Sequence, residues 1–379
     1  MNNALPQKQV VMRFPRGSVG EETFQLLELP PEILKQVEAN DSVFPLTIKG
    51  RPSDDATLHT PNATFQLRTI GISNSLLVCI PLLGGTGSFP GGRETLEIRD
   101  VCHEVLECLP VAANLERIGT VLSASAWEGM SEGVLGKRKR VEEESKHMKR
   151  WTKEQLQSVI QASDEELEEG LRERNVVEVD GKMLLLPPAE LKELLTIVLC
   201  LLTIHAGASS SAPTEALISS LEEHDVSPSL SAAVLGLFGE VQGDLWIADV
   251  ERIVKQVGMG LLCKIKKNKR KDEFMAEWRE EVGEKWTEHV SLRLLQGEHL
   301  LDPPPPSALA SSSSQILRYY PFSSLPLNPS RRFAQLFQTR PRWTPEEITP
   351  FLRGLTREGD MKGRDKLVAK RRMNIFVVY

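Results

Sequence analysis

The apolar residues change their spacing at Trp151, and this change divides the chain into two parts that cannot share one architecture. Before Trp151 they form short segments in which apolar and polar residues alternate, such as Thr64-Phe65-Gln66-Leu67-Arg68, a pattern typical of half-buried strands. After Trp151 they recur with the helical period. A chain of 379 residues has room for roughly two to four domains. We therefore expect an α+β protein with a β-rich N-terminal domain followed by helical modules.

The N-terminal part, residues 1–127, is predicted to form a β-barrel-like docking domain with helices at 31–39 and 114–127. Strands are expected at 9–14, 23–27, 46–49, 64–68, 75–80 and 96–109, with turns at Gly50, Pro52, Pro61-Asn62 and Ser73-Asn74. Regularly spaced short strands favour a barrel or a sandwich, but these are too few to close one. An open edge invites the strands of a partner. The apolar strand residues Phe65, Leu67, Leu76 and Val78 are the partner-binding candidates.

The C-terminal part is predicted to form three winged-helix modules, at 151–210, 211–262 and 263–379, after a polar linker at 128–150. A winged helix is a variant of helix-turn-helix in which a β-hairpin follows the two helices. In the first module, Asp180-Gly181 between two apolar runs is a strong hairpin signal. Three capping boxes mark helix starts: Thr152 with Gln155, Ser163 with Glu166, and Thr344 with Glu347. The third module carries an insertion rich in proline and serine at 302–315.

The sequence contains no motif that predicts catalysis, a metal site, a bound cofactor or membrane contact. Its five cysteines form no CxxC pair and follow no signal peptide, so we expect free thiols in a reducing compartment. The glycine loop at 84–92 lacks the third glycine of a dinucleotide fingerprint, because Pro90 stands there, and it lacks the lysine of a P-loop. The apolar run 194–204 is too short to cross a bilayer. A hydrolase site assembled only by folding stays open as an alternative.

Charge is distributed unevenly along a chain whose net charge is −6. The first helical module, 153–186, holds four basic and nine acidic residues, a net charge of −5. Five of the acidic residues lie on its second helix, the element that enters the groove in a DNA-binding winged helix. Because this helix would repel phosphate, we expect the module to bind protein or to support its neighbours.

Residues 331–379 carry the opposite charge, with twelve basic and five acidic residues and a net charge of +7. The basic residues cluster before the Trp343 helix and before a predicted terminal strand at 374–378, where a wing would lie. The DNA-binding candidates are Arg331, Arg332, Arg340, Arg342, Lys366, Lys370, Arg371 and Arg372. Phosphate contacts of this kind give affinity and salt sensitivity without base specificity. The alternative is a solvated basic surface.

Two further basic runs each have two interpretations. The run Lys264–Lys271 either contacts phosphate or is a linker. The run Lys137-Arg138-Lys139-Arg140 is typical of a nuclear import signal, with a polar linker as the alternative. We expect the protein in the nucleus.

Five segments of the N-terminal part resemble the DCC family, the "defective in sister chromatid cohesion" subunit of an alternative replication factor C. The segments are Leu26 to Leu34, Leu46 to Gly50, Leu58 to Thr60, Thr64 to Arg68 and Ser73 to Leu77. Their order and spacing match as a set, which is more specific than any one of them. The stretch from Arg332-Phe333 to Trp343-Thr344 is also similar, and the resemblance is weakest at 84–100 and 255–320.

The resemblance implies a non-catalytic subunit that pairs with the tail of the loader's large ATPase subunit and with a small third subunit in a shared β-barrel. It also implies contact with DNA polymerase epsilon, binding of single- and double-stranded DNA, and an indirect role in loading or unloading the sliding clamp PCNA. ATP hydrolysis would belong to other subunits. Given the charges, we expect polymerase contact near the β domain and first module, and DNA contact at the tail. The alternative function is a winged-helix transcription or chromatin regulator, which the acidic helix disfavours.

Overall fold

The computed structural model describes residues 10–15, 23–39, 45–81, 94–130, 150–206, 210–303 and 315–355. The chain divides into two compact units, the first ending at Val111 and the second beginning at Ala112. Several predicted features lie outside the described residues: the glycine loop, the basic run 137–140, most of the 302–315 insertion, the terminal strand, and Lys366, Lys370, Arg371 and Arg372.

The first unit is built on a six-stranded sheet in the order β1-β6-β5-β4-β3, with β2 also paired to β6. The strands are β1 (Val10–Arg13), β2 (Leu26–Glu28), β3 (Thr47–Lys49), β4 (Thr57–His59), β5 (Thr64–Pro81) and β6 (Glu94–Val111). β1 and β2 run parallel to different parts of β6, whereas the other neighbours are antiparallel. Among the described residues the sheet stays open and does not close into a barrel. The α+β class is therefore confirmed, and the barrel-like closure is not.

One long strand replaces the two that we predicted at 64–68 and 75–80. The expected turn at Ser73-Asn74 is wrong, because β5 continues through it. The pairing passes from Gly71 opposite Glu104 to Leu76 opposite Cys102, so that four residues of β5 face one residue of β6. The surplus residues form a bulge, which bends a strand without ending it. The turn at Pro61-Asn62 is confirmed between β4 and β5.

The core of the first unit is small and lies at one end of the β5–β6 hairpin. It consists of Ile33, Leu58, Phe65 and Cys108. Ile33 belongs to helix α1 (Pro31–Glu38), which begins with proline at its first position, where the missing N–H costs no hydrogen bond. So small a core buries little of the apolar surface that six strands bring.

The second unit is mainly helical, with short sheets between the helices. Its helices are α2 (Glu116–Leu122), α3 (Lys153–Val159), α4 (Asp164–Glu173), α5 (Pro188–Ala206), α6 (Thr214–Glu223), α7 (Pro228–Phe238), α8 (Val250–Cys263), α9 (Lys271–Val282), α10 (Pro329–Thr339) and α11 (Pro345–Ile348). Its strands are β7 (Val176–Val179), β8 (Lys182–Leu185), β9 (Ser211–Pro213), β10 (Gly239–Gln242), β11 (Leu245–Ala248), β12 (Lys269–Arg270), β13 (His299–Asp302) and β14 (Ile316–Tyr319). Short 3₁₀ helices lie at Ser123–Ser125, Glu284–His289, Leu292–Leu295, Phe322–Ser324 and Thr349–Leu352.

The order of two helices and a hairpin that we predicted after Trp151 is present as α3, α4, β7 and β8. Helix α2, which we had included in the N-terminal domain, packs against this group. Its residues Ile118 and Leu122 are fully buried in one cluster with Leu156 and Leu167. The helix belongs with the second unit because its apolar face needs those partners to leave water.

All three predicted capping boxes are confirmed, with both reciprocal hydrogen bonds in each. At Thr344, the hydroxyl accepts the Glu347 N–H at 3.3 Å and the Glu347 carboxylate accepts the Thr344 N–H at 3.0 Å. The helix that follows, α11, has only four residues. It passes into a 3₁₀ turn at Thr349–Leu352, because Pro350 has no N–H to continue the α-helical pattern.

Most of the apolar burial lies in one large core of the second unit. Helices α5, α7 and α8 carry much of it, together with Trp246, Trp278, Leu295 and Leu317. The run 194–204 forms part of helix α5, and its leucines are buried. Within the described part of the chain, no helix has both the length and the apolar character needed to span a membrane.

A separate C-terminal cluster contains α10, α11 and the last 3₁₀ helix. It consists of Leu300, Leu325, Phe333, Leu336, Ile348, Phe351 and Leu352. The second module adds the hairpin β10–β11 to helices α6 and α7, and in the third the sheet β12-β14-β13 precedes the last two helices.

Candidate partner and DNA interfaces

Large apolar side chains are exposed on the sheet of the first unit. On β1 and just after it, Val10, Val11, Met12 and Phe14 are between 43% and 65% exposed. On β5, Leu76, Leu77 and Ile80 are between 40% and 45% exposed. Successive residues of a strand point to opposite faces, so the sheet carries exposed apolar side chains on both faces. Exposed apolar surface of this kind is typical of interaction sites.

The predicted partner-binding residues separate into two groups. Leu76 is exposed and Val78 is partly exposed, as a partner contact requires. Phe65 is only 2% exposed, because it packs against Ile33 and Leu58, and Leu67 covers the same cluster. We therefore withdraw Phe65 as a partner contact and assign it to the core.

Sequence reasoning missed the exposed residues of β1. The signal was available, since consecutive apolar residues Val10, Val11 and Met12 in a short strand must place apolar groups on both faces. It also missed Ile48 of β3, which is 61% exposed. Within the described sheet β3 is an edge strand, paired with β4 alone. An edge of this kind leaves backbone groups available for another strand.

A buried polar cluster holds β4 in the sheet beside this edge. The hydroxyl of Thr57 donates to the Lys49 carbonyl at 3.2 Å, so it accepts the Nε2–H of His59 at 2.8 Å. Nδ1 of His59 then accepts from the Thr64 hydroxyl at 3.1 Å. Burial, aided by the charge of Lys49, lowers the pKa of His59 to about 4. The ring is thus a neutral structural link.

A cavity of about 590 Å³ lies between residues 23–26 and residues 100–106 of the first unit. Its Asp100 carboxylate accepts the Phe24 N–H at 2.8 Å and the Val101 N–H at 2.7 Å, and these bonds lower the pKa of Asp100. His103 meets Ser75 at 3.2 Å in an exposed position. Within the described residues no group of three or more His, Cys, Asp or Glu is placed to hold a metal ion. The hydrogen bond from the Phe24 N–H to Asp100 thus attaches the chain before β2 to β6.

The basic residues of α10 and of the segment that follows it differ sharply in exposure. Arg331 and Arg342 are exposed. Arg340 is largely occupied, since it forms an ion pair with Glu347 at 3.0 Å and lies over the Trp343 ring. Arg332 is 1% exposed. Of the four candidates in the described residues, two remain available to phosphate.

Arg332 is a structural residue. Its guanidinium donates to the carbonyls of Pro326 (2.7 Å), Arg353 (2.6 Å), Phe351 (3.2 Å) and Leu325 (3.3 Å). With four of its five N–H donors bonded to carbonyls and its side chain buried, this guanidinium cannot reach a phosphate. We therefore withdraw Arg332 as a DNA contact, since it instead ties the last 3₁₀ helix to α10.

The acidic helix of the first module presents its carboxylates to solvent. Asp164, Glu165, Glu168 and Glu169 of α4 are exposed, whereas Leu167 and Leu171 face the module's core. Lys153 forms an ion pair with Glu168 and neutralises one of these charges. The exposed face of α4 therefore repels phosphate.

Three of the six basic residues in the run 264–271 form ion pairs with acidic neighbours. Lys264 lies 3.2 Å from Glu193, Arg270 lies 3.8 Å from Glu273, and Lys269 forms an ion pair with Glu277. Lys266 and Lys267 are exposed. These pairs reduce the charge that the run can offer to phosphate.

Comparison with known proteins gives one consistent family. The family model described as sister chromatid cohesion protein Dcc1 matches residues 24–352, which include every described strand and helix except β1. Sister chromatid cohesion protein DCC1 of Xenopus laevis is 26% identical over 344 residues, covering 88% of this chain and 82% of its own length. The protein of that name from Homo sapiens is 24% identical over 353 residues, with 88% and 82% covered. A probable sister chromatid cohesion protein DCC1 of Dictyostelium discoideum is 22% identical over 357 residues, with 89% and 87% covered.

Proposed function

Because this chain belongs to the sister chromatid cohesion protein Dcc1 family, we propose that it is a non-catalytic subunit of an alternative replication factor C complex. The family name gives the coarse role, which is sister chromatid cohesion, and the name is that of a cohesion protein, not of an enzyme family. We further propose that the complex loads or unloads the clamp PCNA at replication forks in the nucleus. Other subunits then supply the ATPase activity.

The first unit is proposed as the docking site for the tail of the large ATPase subunit and for the small third subunit. The observation that carries this proposal is the open sheet with exposed apolar residues on both faces, among them Met12 and Ile80. Partner strands would pair with the edge strand β3, and partner side chains would cover the apolar faces. The small core of this unit supports the same conclusion, because partner residues would enlarge it.

DNA polymerase epsilon is proposed to contact the first unit and the first helical module. The acidic face of α4 favours a basic protein surface over DNA. The same face disfavours a transcription regulator that would place this helix in the major groove.

DNA is proposed to bind at the C-terminal module, which would act as a winged helix. Arg331 and Arg342 are exposed there, and the sequence continues into the basic residues Lys366, Lys370, Arg371 and Arg372. Contacts of this kind would bind single- and double-stranded DNA without reading bases.

Docking is tested by co-purification of the full chain with the two partner subunits. The double variant Met12→Asp with Ile80→Asp places charge on the exposed apolar sheet and should lose both partners. The matched control is Val241→Asp, which changes an equally exposed apolar residue of the second unit. The control should keep both partners. Full retention of the partners by the double variant would refute the docking surface.

A further inference from the structure

The turn at Gln296-Gly297-Glu298 joins the large core to the C-terminal cluster. Leu295, before the turn, is buried in the large core, and Leu300, after it, is buried in the C-terminal cluster. The turn also holds the returning chain, since the Glu298 carbonyl accepts the Tyr320 N–H at 2.9 Å and the Gly297 carbonyl accepts the Phe322 N–H at 2.8 Å.

The backbone of Gly297 allows this close fit. Its φ is +87°, and a Cβ atom there would lie 3.2 Å from Cβ of Pro350 in the last 3₁₀ helix. The turn therefore also contacts the last 3₁₀ helix, which belongs to the C-terminal cluster. A structural change at this turn would therefore affect how the large core and the C-terminal cluster are connected.

The Glu298 carboxylate is partly buried at this joint. Within the described residues it makes no hydrogen bond and no ion pair of its own. The charged and titratable groups that face it come from each neighbouring element: Lys255 and Cys263 of α8, Glu173 of α4, Tyr319 of β14, and Arg353 after the last 3₁₀ helix. Lys255 and Arg353 are the two cations among these groups, and neither forms an ion pair with the carboxylate within the described residues.

Burial raises the pKa of Glu298 from its ordinary 4.5 to about 7, with Arg353 and Lys255 acting in the opposite direction. Burial likewise raises the pKa of Tyr319 to about 12, helped by Cys263 and Glu298. Both shifts indicate a dry environment around the turn.

We propose that Glu298 makes the joint between the large core and the C-terminal cluster proton-controlled, closed when the carboxylate is neutral and loosened when it is charged. The direction follows from linkage, since the closed form holds its proton more tightly than the open form. Closed-form stability is then greatest at low pH and falls as pH rises through the titration of the closed form. Between pH 6 and pH 8 the opening constant should rise about tenfold, given full exposure of the carboxylate on opening.

Hydrogen exchange of the full chain tests this device. The amides of Tyr320 and Phe322 report opening of the joint, and the amide of Val257 in the large core provides the reference. After correction for the intrinsic exchange rate, the exchange rate of the Tyr320 and Phe322 amides relative to that of the Val257 amide should rise about tenfold from pH 6 to pH 8. Glu298→Gln keeps the shape and removes the titration, so the ratio should become independent of pH.

Two further variants sharpen the result. Lys255→Met removes a cation that favours the charged carboxylate, so the increase in opening between pH 6 and pH 8 should exceed that of the wild type. Glu288→Gln, an exposed carboxylate of the same unit, should behave as wild type. A wild-type ratio that does not change with pH, or a tenfold change that persists in Glu298→Gln, would overturn the proposal. The exchange ratio depends on neither DNA nor a partner, so a failure of this proposal is distinguishable from a failure of the proposed function.

Discussion

At the scale of single residues, charge alone did not separate binding arginines from structural ones. Arg331 and Arg332 are adjacent in the sequence, yet one is exposed and the other is 1% exposed. The helical period explains the difference, because Arg332 and Leu336 are four residues apart and share the buried face of α10. An arginine in register with the apolar face of a helix should be read as a structural candidate first.

Replacing Arg332 should destabilise the C-terminal cluster. Arg332→Met leaves four carbonyls of the last turns without their donor, and we expect a loss of about 2–4 kcal/mol in the free energy of unfolding. Urea unfolding followed by tryptophan fluorescence measures the loss, with Trp343 as a local reporter. Arg331→Met, at the exposed neighbour, should change stability by less than about 0.5 kcal/mol. Equal stability of the two variants would show that the carbonyl contacts contribute little.

His59 should make the first unit sensitive to acid. Its pKa of about 4 in the fold lies below the ordinary value of 6.5, so between these values the unfolded chain binds a proton that the native chain does not. Stability is therefore full above about pH 6.5 and falls as pH decreases toward 4, by on the order of 2 kcal/mol after solvent screening is allowed for.

Thermal unfolding between pH 7 and pH 4, followed by circular dichroism, measures this effect. His59→Asn removes the titrating ring, so the first unit of this variant should lose less stability over the same pH range, although its stability at pH 7 is lower than that of the wild type. If wild type and variant decline in parallel, another group causes the acid sensitivity.

At the scale of elements, the sequence predicted features that depend on neighbours along the chain. Thr152, Ser163 and Thr344 each cap a helix through a residue three positions away, so the local sequence contains the whole interaction. The bulge in β5 depends instead on residues 102–104, which lie about thirty positions later and set the register. Turn propensity at Ser73-Asn74 could not reveal that pairing.

The interface residues show the same difference between what the local sequence predicts and what depends on distant residues. Leu76 was predictable from strand alternation, but the burial of Phe65 depends on α1 and β4 folding over it. Arg340 forms ion pairs with Glu347, which lies shortly after it in the sequence, and with Asp302 of β13, which lies far before it. Composition alone could identify a basic region without assigning its members.

Two glycines of one segment should respond oppositely to alanine. A Cβ at Gly239, where α7 meets β10, would lie 2.3 Å from the Ile247 carbonyl and 2.4 Å from the Trp246 ring nitrogen. Gly239→Ala should therefore destabilise the second unit by about 2–3 kcal/mol. Gly236 lies in α7 with nothing within 4 Å of its Cβ position, so Gly236→Ala should stabilise by up to about 1 kcal/mol. Urea midpoints compare them, and a stable Gly239→Ala would contradict this packing.

At the scale of the whole molecule, the two units use apolar residues differently. The second unit buries its apolar residues in a large core, whereas the first exposes much of its apolar surface around a core of four residues. Such a contrast within one chain favours a stable helical unit that carries a sheet completed by other chains. The change of period at Trp151 indicates two parts of different architecture, but the second unit begins earlier, at Ala112, and the change of period does not show where the sheet remains open.

DNA binding should depend on the exposed arginines of the C-terminal module. Arg331→Ala with Arg342→Ala removes two phosphate contacts, so affinity should fall for all base sequences and the slope of log K against log salt should become shallower by about 2. Arg279→Ala with Arg293→Ala removes the same charge from exposed positions elsewhere in the second unit. That control should bind nearly as wild type. Equal losses in both pairs would mean that only net charge matters.

Hydrogen exchange of the full chain, with and without the two partner subunits, tests whether the first unit is an open sheet completed by partner chains. We predict that amides of β1 and β3 exchange rapidly in the free chain and at least about tenfold more slowly in the complex, while amides of α5 and α8 remain unchanged. Slow exchange of β1 and β3 in the free chain, with no further protection from the partners, would show that the sheet is complete without them.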